Sequence, residues 1–211
     1  MRGEAVSSLL SDYERFRRDI ESRLEEFSRV WRDLDEEAMW GELYFCLMTP
    51  QSRATACFEA LSRLGGLDRW SEGELRACLR GVRFWRSKAS YLAEARSKRE
   101  GGFSLVEALR AFEDPILCRE ALAGEFRGLG MKEASHFLRN VGYSFDLAIL
   151  DRHILREMAD LGLVESLPSS LSKSVYLSLE RLFVGFAGEL GMSAASLDLL
   201  LWARRTGFVF R

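Results

Sequence analysis

The amino-acid sequence predicts an all-α protein, on three observations. Apolar residues recur every three or four positions along nearly the whole chain, and the strict alternation of a half-buried strand is almost absent. Prolines number only three in 211 residues, so little interrupts helical backbone. Gly, Ser and Asp fall between the periodic stretches and cut the chain into about ten short helices rather than one long coiled coil.

The elements follow in order. Residues 5–30 form an amphipathic helix with Leu9, Tyr13, Phe16, Ile20, Leu24 and Phe27 along one face. Residues 36–48 make a second helix that stops before Pro50. Thr49 and Pro50 read as the start of a third, which buries Ala54, Cys57, Phe58 and Leu61 and ends at Gly65 and Gly66. Short helices fit 71–79, 84–98, 104–112 and 114–124, followed by 131–141, 151–162, 171–190 and 193–205. The apolar tail Thr206–Arg211 either docks back onto the body or frays. No repeat or linker is evident.

Composition narrows the function classes. A 47% hydrophobic chain of this length suits one domain or two small lobes. No apolar run approaches the roughly 20 residues that span a bilayer, and a signal-peptide core is missing, so a soluble cytoplasmic protein is expected. Cysteines at 46, 57, 78 and 118 form no C-x-x-C pair and leave the C-terminal third empty. That argues against a structural zinc and against a C-terminal iron–sulfur cluster, and leaves four core thiols.

The net charge of −2 is not that of a protein that coats nucleic acid. Yet Arg80–Arg99 holds seven bases against one acid, Glu94. Such a strip either meets phosphate, with Arg83, Arg86 and Lys88 as the candidates, or is a solvated helix face. Of the 30 basic residues only four are lysine: Lys88, Lys98, Lys132 and Lys173. Where arginine is the default cation, a retained lysine suits work arginine cannot do, such as acting as a deprotonated nucleophile.

The segment from Gly124 to Gly142 is the most informative. Two helices meet at Gly128-Leu129-Gly130. Glycines there permit positive φ and turn the free N–H groups of the second helix outward, an anion site suited to a DNA phosphate; an ordinary tight turn uses the same residues. Leu129 can plug the core. Lys132 falls in the first turn of the new helix, where the dipole opposes positive charge, so a merely structural lysine belongs more comfortably at the other end. Nineteen residues on, Asp151 opens another helix and by itself reads as an N-cap.

Gly128-Leu129-Gly130-Met131-Lys132 followed by Asp151 resembles the helix-hairpin-helix-Gly/Pro-Asp superfamily of DNA base-excision glycosylases. Arg127 stands where many members have Pro, and Leu150 where Pro often precedes the aspartate. The strings MKEASHFLRNVGY from Met131 to Tyr143 and ILDRHILR from Ile149 to Arg156 closely resemble the archaeal-type, second family of 8-oxoguanine DNA glycosylase/AP lyases. The likeness runs from Phe45 to the C-terminus.

That resemblance implies two helical lobes with the active site in the cleft between them: 43–149, including the hairpin at 114–142, and 1–42 with 150–211. Together they form one catalytic unit. It implies a bifunctional enzyme in which Lys132 attacks C1′ and forms a Schiff base while Asp151 stabilises the charge developing on the deoxyribose. It places the flipped base between Phe84 and Trp202 with the terminal carboxylate of Arg211 on its Watson–Crick edge, although periodicity alone puts both aromatics in helix cores. His136, one turn after Lys132, either lines the pocket or is a satisfied buried histidine. Gln51 resembles the polar residue that fills the gap left by the flipped base. The reaction needs no cofactor or metal; hairpin carbonyls near Phe126 and Leu129 suit a monovalent cation beside a DNA phosphate. The expected partner is damaged double-stranded DNA, met by a monomer at the nucleoid of a prokaryote, with no membrane involved. The alternatives are a glycosylase for another oxidised base and a non-catalytic DNA-gripping hairpin.

Overall fold

Eleven α-helices and no strand occur among the described residues, 2–65 and 70–211 of this computed structural model. They are α1 (Arg2–Arg32), α2 (Glu36–Met48), α3 (Ala54–Gly65), α4 (Glu72–Cys78), α5 (Trp85–Glu100), α6 (Leu105–Arg110), α7 (Pro115–Glu125), α8 (Met131–Asn140), α9 (Arg152–Asp160), α10 (Lys173–Glu189) and α11 (Ala194–Thr206). Side-chain oxygens set several of the starts, as expected of Ser and Asp at N-caps: Asp35, Ser71, Ser104, Asp114, Asp151, Ser172 and Ser193 each accept a backbone N–H from the first turn. No single described helix is long and apolar enough to cross a membrane.

The chain divides into two compact units, one of Arg32–Phe137 and one of the residues up to Trp31 with Leu138–Arg211. The divisions fall at the end of α1 and inside α8, where the sequence reading put them after residues 42 and 149.

In the Arg32–Phe137 unit, α2 is the central element and packs on α3, α5 and α6. It has no solvent face along most of its length: Met39, Trp40 and the whole run Glu42–Met48 are buried. Glu36 at its start accepts hydrogen bonds from Trp40 Nε1 (3.0 Å), Leu105 N (2.6 Å) and Val106 N (3.0 Å), so its carboxylate fastens α2 to the start of α6. This tie is why residues 36–42 belong with the helices that follow rather than with α1. The third helix begins four residues later than the Thr49-Pro50 signal suggested. Thr49 closes α2, residues 50–53 form a turn, and α3 then buries Ala56, Cys57, Ala60 and Leu64 while Phe58 stays exposed.

In the other unit, Leu9, Phe16, Ile20 and Phe27 of α1 are buried, and α11 packs on α9 and α10. Gly142, at φ +71°, presses its backbone on α1; a Cβ there would meet Phe27 O at 2.3 Å. Arg139 is buried and paired with Asp198 of α11 at 2.5 Å. Residues 144–151 are pinned to α10, because Glu180 accepts from Ala148 N (2.9 Å) and Tyr176 donates to Ala148 O (2.6 Å).

Candidate active site

The hairpin that joins α7 to α8 turns at Gly128. Phe126 closes α7, Leu129 N donates back to Phe126 O at 3.1 Å, and Leu129 is buried as a plug. Gly128 has φ +92°, and a Cβ there would lie 2.3 Å from the ring of Tyr91, so only glycine fits. Arg127 sets its guanidinium 5.1 Å over the same ring and pairs with Glu94 at 3.1 Å.

Lys132 is the second residue of α8. Its side chain is 23% exposed, and Nζ lies 2.9 Å from Glu133 Oε1. The other Glu133 oxygen folds back over Gly130, 2.9 Å from where a Cβ would stand. Glu133 is a residue the sequence reading missed; adjacent positions on a helix do not normally face each other, so spacing gave no sign of it. His136, one turn further, is buried edge-on against Phe45 with ring centroids 5.6 Å apart.

Two more groups stand electrostatically near Lys132, Cys57 and Lys88. Burial pushes the Cys57 thiol up to about 11, against the pull of both lysines, and Sγ donates to Met48 O at 3.2 Å. All four cysteines are buried. Lys88 corrects the sequence expectation. It does not belong to a phosphate-facing strip: it is 3% exposed, and Nζ donates to Met48 O, Pro50 O and Ser52 Oγ. Burial brings it down to about 8. Arg83 and Arg86 of the same strip are exposed, lying 4.9 Å over the Phe84 and Trp85 rings respectively.

Gln51 and Phe84 are both exposed and both left-handed, at φ +55° and +57°. Phe84 is therefore no core residue, contrary to what helical periodicity alone suggests; it stands at the head of α5 with a 53% exposed ring.

The remaining predicted residues lie in the other unit. Asp151 is the N-cap of α9, and its Oδ1 accepts from His153 N (2.7 Å) and Ile154 N (2.8 Å). The bland N-cap role is thus real, and it engages only one carboxylate oxygen. Leu150 gives its N–H to Tyr176 Oη at 3.4 Å. Trp202 is half-buried on α11, stacked on Phe210 with ring centroids 6.5 Å apart, and Phe210 meets Phe208 edge-on. Thr206 Oγ1 donates to Trp202 O or Phe208 O, each at 3.0 Å, so the tail docks back on its own helix and brings Arg211 next to the Trp202–Phe210 stack in sequence. Among the described residues no His, Cys, Asp and Glu cluster has the geometry of a metal site.

Comparison with known proteins bears on this arrangement as a whole. A family model described as 8-oxoguanine DNA glycosylase matches residues 20–192. The chain is 41% identical over 193 positions to a protein of Saccharolobus solfataricus named 8-oxoguanine DNA glycosylase/AP lyase, covering 90% of this chain and 92% of that one. A protein of the same name from Fusobacterium nucleatum is 33% identical over 215 positions, covering 100% and 99%. The crystal structure of the 8-oxoguanine DNA glycosylase of Thermotoga maritima superposes with a TM-score of 0.89 at 35% identity, over 100% of both chains. That of the Methanocaldococcus jannaschii 8-oxoguanine glycosylase/lyase, in complex with a 15mer DNA containing 8-oxoguanine, superposes with a TM-score of 0.85 at 32% identity, over 97% of this chain and 100% of that one.

Proposed function

The chain belongs to the 8-oxoguanine DNA glycosylase family, and on that premise we propose how its own residues excise 8-oxoguanine from DNA and cut the strand at the abasic site. The observation that carries the reading is Lys132, a partly exposed amine in the first turn of the helix that leaves the Gly128–Gly130 hairpin, with a carboxylate 2.9 Å from Nζ. The neutral amine attacks C1′, the N-glycosidic bond breaks, and the base leaves with the bonding electrons and takes up a proton. The amine loses its own proton and the sugar ring opens to the imine. The Schiff base acidifies the C2′ hydrogen; its removal expels the 3′ phosphate and breaks the strand. Asp151, with one oxygen free of the N-cap, stabilises the positive charge that develops on the deoxyribose as the base departs.

The remaining roles follow the chemistry of each group. Phe84 and Trp202 stack on the flipped purine, and His136 and Arg211 line its pocket. Gln51 fills the vacated stack, while the hairpin amides at Gly128 and Gly130, with Arg83 and Arg86, hold phosphates. The Phe126 and Leu129 carbonyls suit a monovalent cation beside a phosphate, since a carbonyl that accepts one N–H, as Phe126 O does from Leu129, has a second lone pair. The enzyme acts inside the cell as a monomer on damaged duplex DNA, without a required cofactor or metal.

Borohydride trapping tests this directly. The purified protein should form a covalent adduct with a duplex carrying one 8-oxoguanine and none with an undamaged duplex, and Lys132→Gln and Lys132→Arg should form no adduct. Trapping on oxidised-pyrimidine duplexes instead would discard the pocket and keep the lysine. DNA binding without any adduct would discard the enzyme.

A further inference from the structure

Lys88 is a buried side chain whose ammonium uses its whole hydrogen-bonding capacity on one short stretch of chain. Three N–H groups meet three acceptors: Met48 O at 2.6 Å, Pro50 O at 2.7 Å and Ser52 Oγ at 2.8 Å. Those acceptors enclose Gln51, which is left-handed at φ +55°. Ser52 Oγ also accepts the N–H of Arg83 at 2.9 Å, and Arg83 immediately precedes Phe84 at φ +57°. Two exposed residues that carry side chains are thus held in a conformation most such residues avoid, and neither gains burial in return. Conformations of this kind persist where neighbouring groups over-determine them, and they gather at sites of function. The neighbouring group common to both is the Lys88 ammonium, directly for the 48–52 turn and through Ser52 for Arg83.

We propose that Lys88 is a positioning residue, which ties the turn carrying Gln51 to the segment carrying Phe84 and so sets both side chains for the flipped base and the gap it leaves. The proposal rests on the reading of Gln51 and Phe84 given above. Arginine's planar fork does not reproduce three converging N–H groups from one atom, which fits the use of lysine here in a chain that otherwise prefers arginine. The titratable groups that face Nζ are Cys57 on α3 and Lys132 and Glu133 on α8. Burial lowers Lys88 to about 8; Lys132 adds to the lowering, and Cys57 and Glu133 oppose it. Above that pH a neutral amine has two N–H groups for three partners, and the Ser52 contact survives only if its hydroxyl turns to donate to Nζ.

The test is a ratio of two rates in the full-length protein, under single-turnover conditions with enzyme in excess. One is release of 8-oxoguanine from duplex DNA, which needs both positioned side chains; the other is cleavage of a duplex with a preformed abasic site, which has no base to hold. In Lys88→Met the ratio of excision to cleavage should fall about tenfold or more at neutral pH, as expected for contacts displaced by about an ångström. In the wild type the ratio should decline through about pH 8, and in Lys88→Met it should lose that pH dependence. Ser52→Ala leaves the buried amine in place and removes the link to Arg83, so it should lower the ratio in the same direction by about threefold. Equal loss of both rates in both variants, or wild-type excision with an unchanged ratio in both, overturns the proposal alone. A wild-type protein that cleaves abasic DNA but leaves 8-oxoguanine in place overturns the reading of the pocket, and the proposal with it.

Discussion

The amine of Lys132 and the carboxylate of Glu133 lie 2.9 Å apart although the two residues are consecutive on α8. Consecutive helical positions point roughly 100° apart, so the two side chains reach round the helix to meet. A carboxylate in that place can take the proton the amine sheds when it attacks C1′. Glu133→Gln keeps the size of the side chain and removes the acceptor of that proton. Schiff-base trapping on abasic DNA should slow about tenfold or more at neutral pH, with a smaller deficit in alkaline buffer, where hydroxide does the same work. Equal trapping rates at neutral pH would remove Glu133 from the chemistry.

One pair of substitutions separates the N-cap role of Asp151 from the charge-stabilising role proposed for it. Asparagine caps a helix about as well as aspartate, so Asp151→Asn should leave the denaturation midpoint nearly unchanged. It removes the negative charge, and excision should fall about a hundredfold or more. Asp151→Ala should add a stability loss of about 1 kcal/mol, because the N–H groups of His153 and Ile154 lose their acceptor. Urea denaturation beside single-turnover excision gives both numbers.

Gly128→Ala should be costly in folding before any effect on DNA. The new methyl meets the Tyr91 ring at 2.3 Å in a backbone conformation unfavourable to alanine. Left-handed strain and overpacking together should destabilise by about 2–4 kcal/mol. Adding Tyr91→Ala should recover only the packing part, and full recovery would mean the φ angle is of no consequence.

The buried ammonium of Lys88 also leaves a mark on stability. Its folded-state value, about 8 against the usual 10.5, means the unfolded chain binds more protons at pH values between the two. Unfolding free energy from this group therefore rises with pH through that window and is at its lowest below it. Measured at pH 7 and near pH 9.5, the denaturation midpoint of the wild type should gain on that of Lys88→Met. A constant difference between the two proteins would show that Lys88 titrates normally.

The helices were legible because their punctuation is chemical: Asp35, Ser71, Asp114, Asp151 and Ser193 are side chains that do at a helix start what they do little of elsewhere. The hairpin was legible for the same reason, since Gly128 and Leu129 each satisfy a local demand. What the sequence hid depended on contacts far along the chain. Lys88 reads as one more member of a basic strip until the turn at 48–52, nearly 40 residues away, is seen wrapped around it. Pro50 reads as a helix start, and the ammonium is part of what holds a turn there instead. Phe84 and Trp202 have the spacing of core residues; one is exposed at a helix head, and the other is covered by the tail's Phe210.

Leu150 gives its N–H to Tyr176 Oη, and the same hydroxyl donates to Ala148 O. The peptide leading into Asp151 is therefore steadied by a hydroxyl. Substitutions at the two ends of this contact are unequal. Proline at 150 can arrive while the tyrosine is present, since it removes only the N–H that the hydroxyl receives. The tyrosine cannot be lost first without leaving that N–H and the Ala148 carbonyl both without their partner. A Leu150→Pro chain therefore keeps the tie to Ala148, whereas a Tyr176→Phe chain loses both contacts.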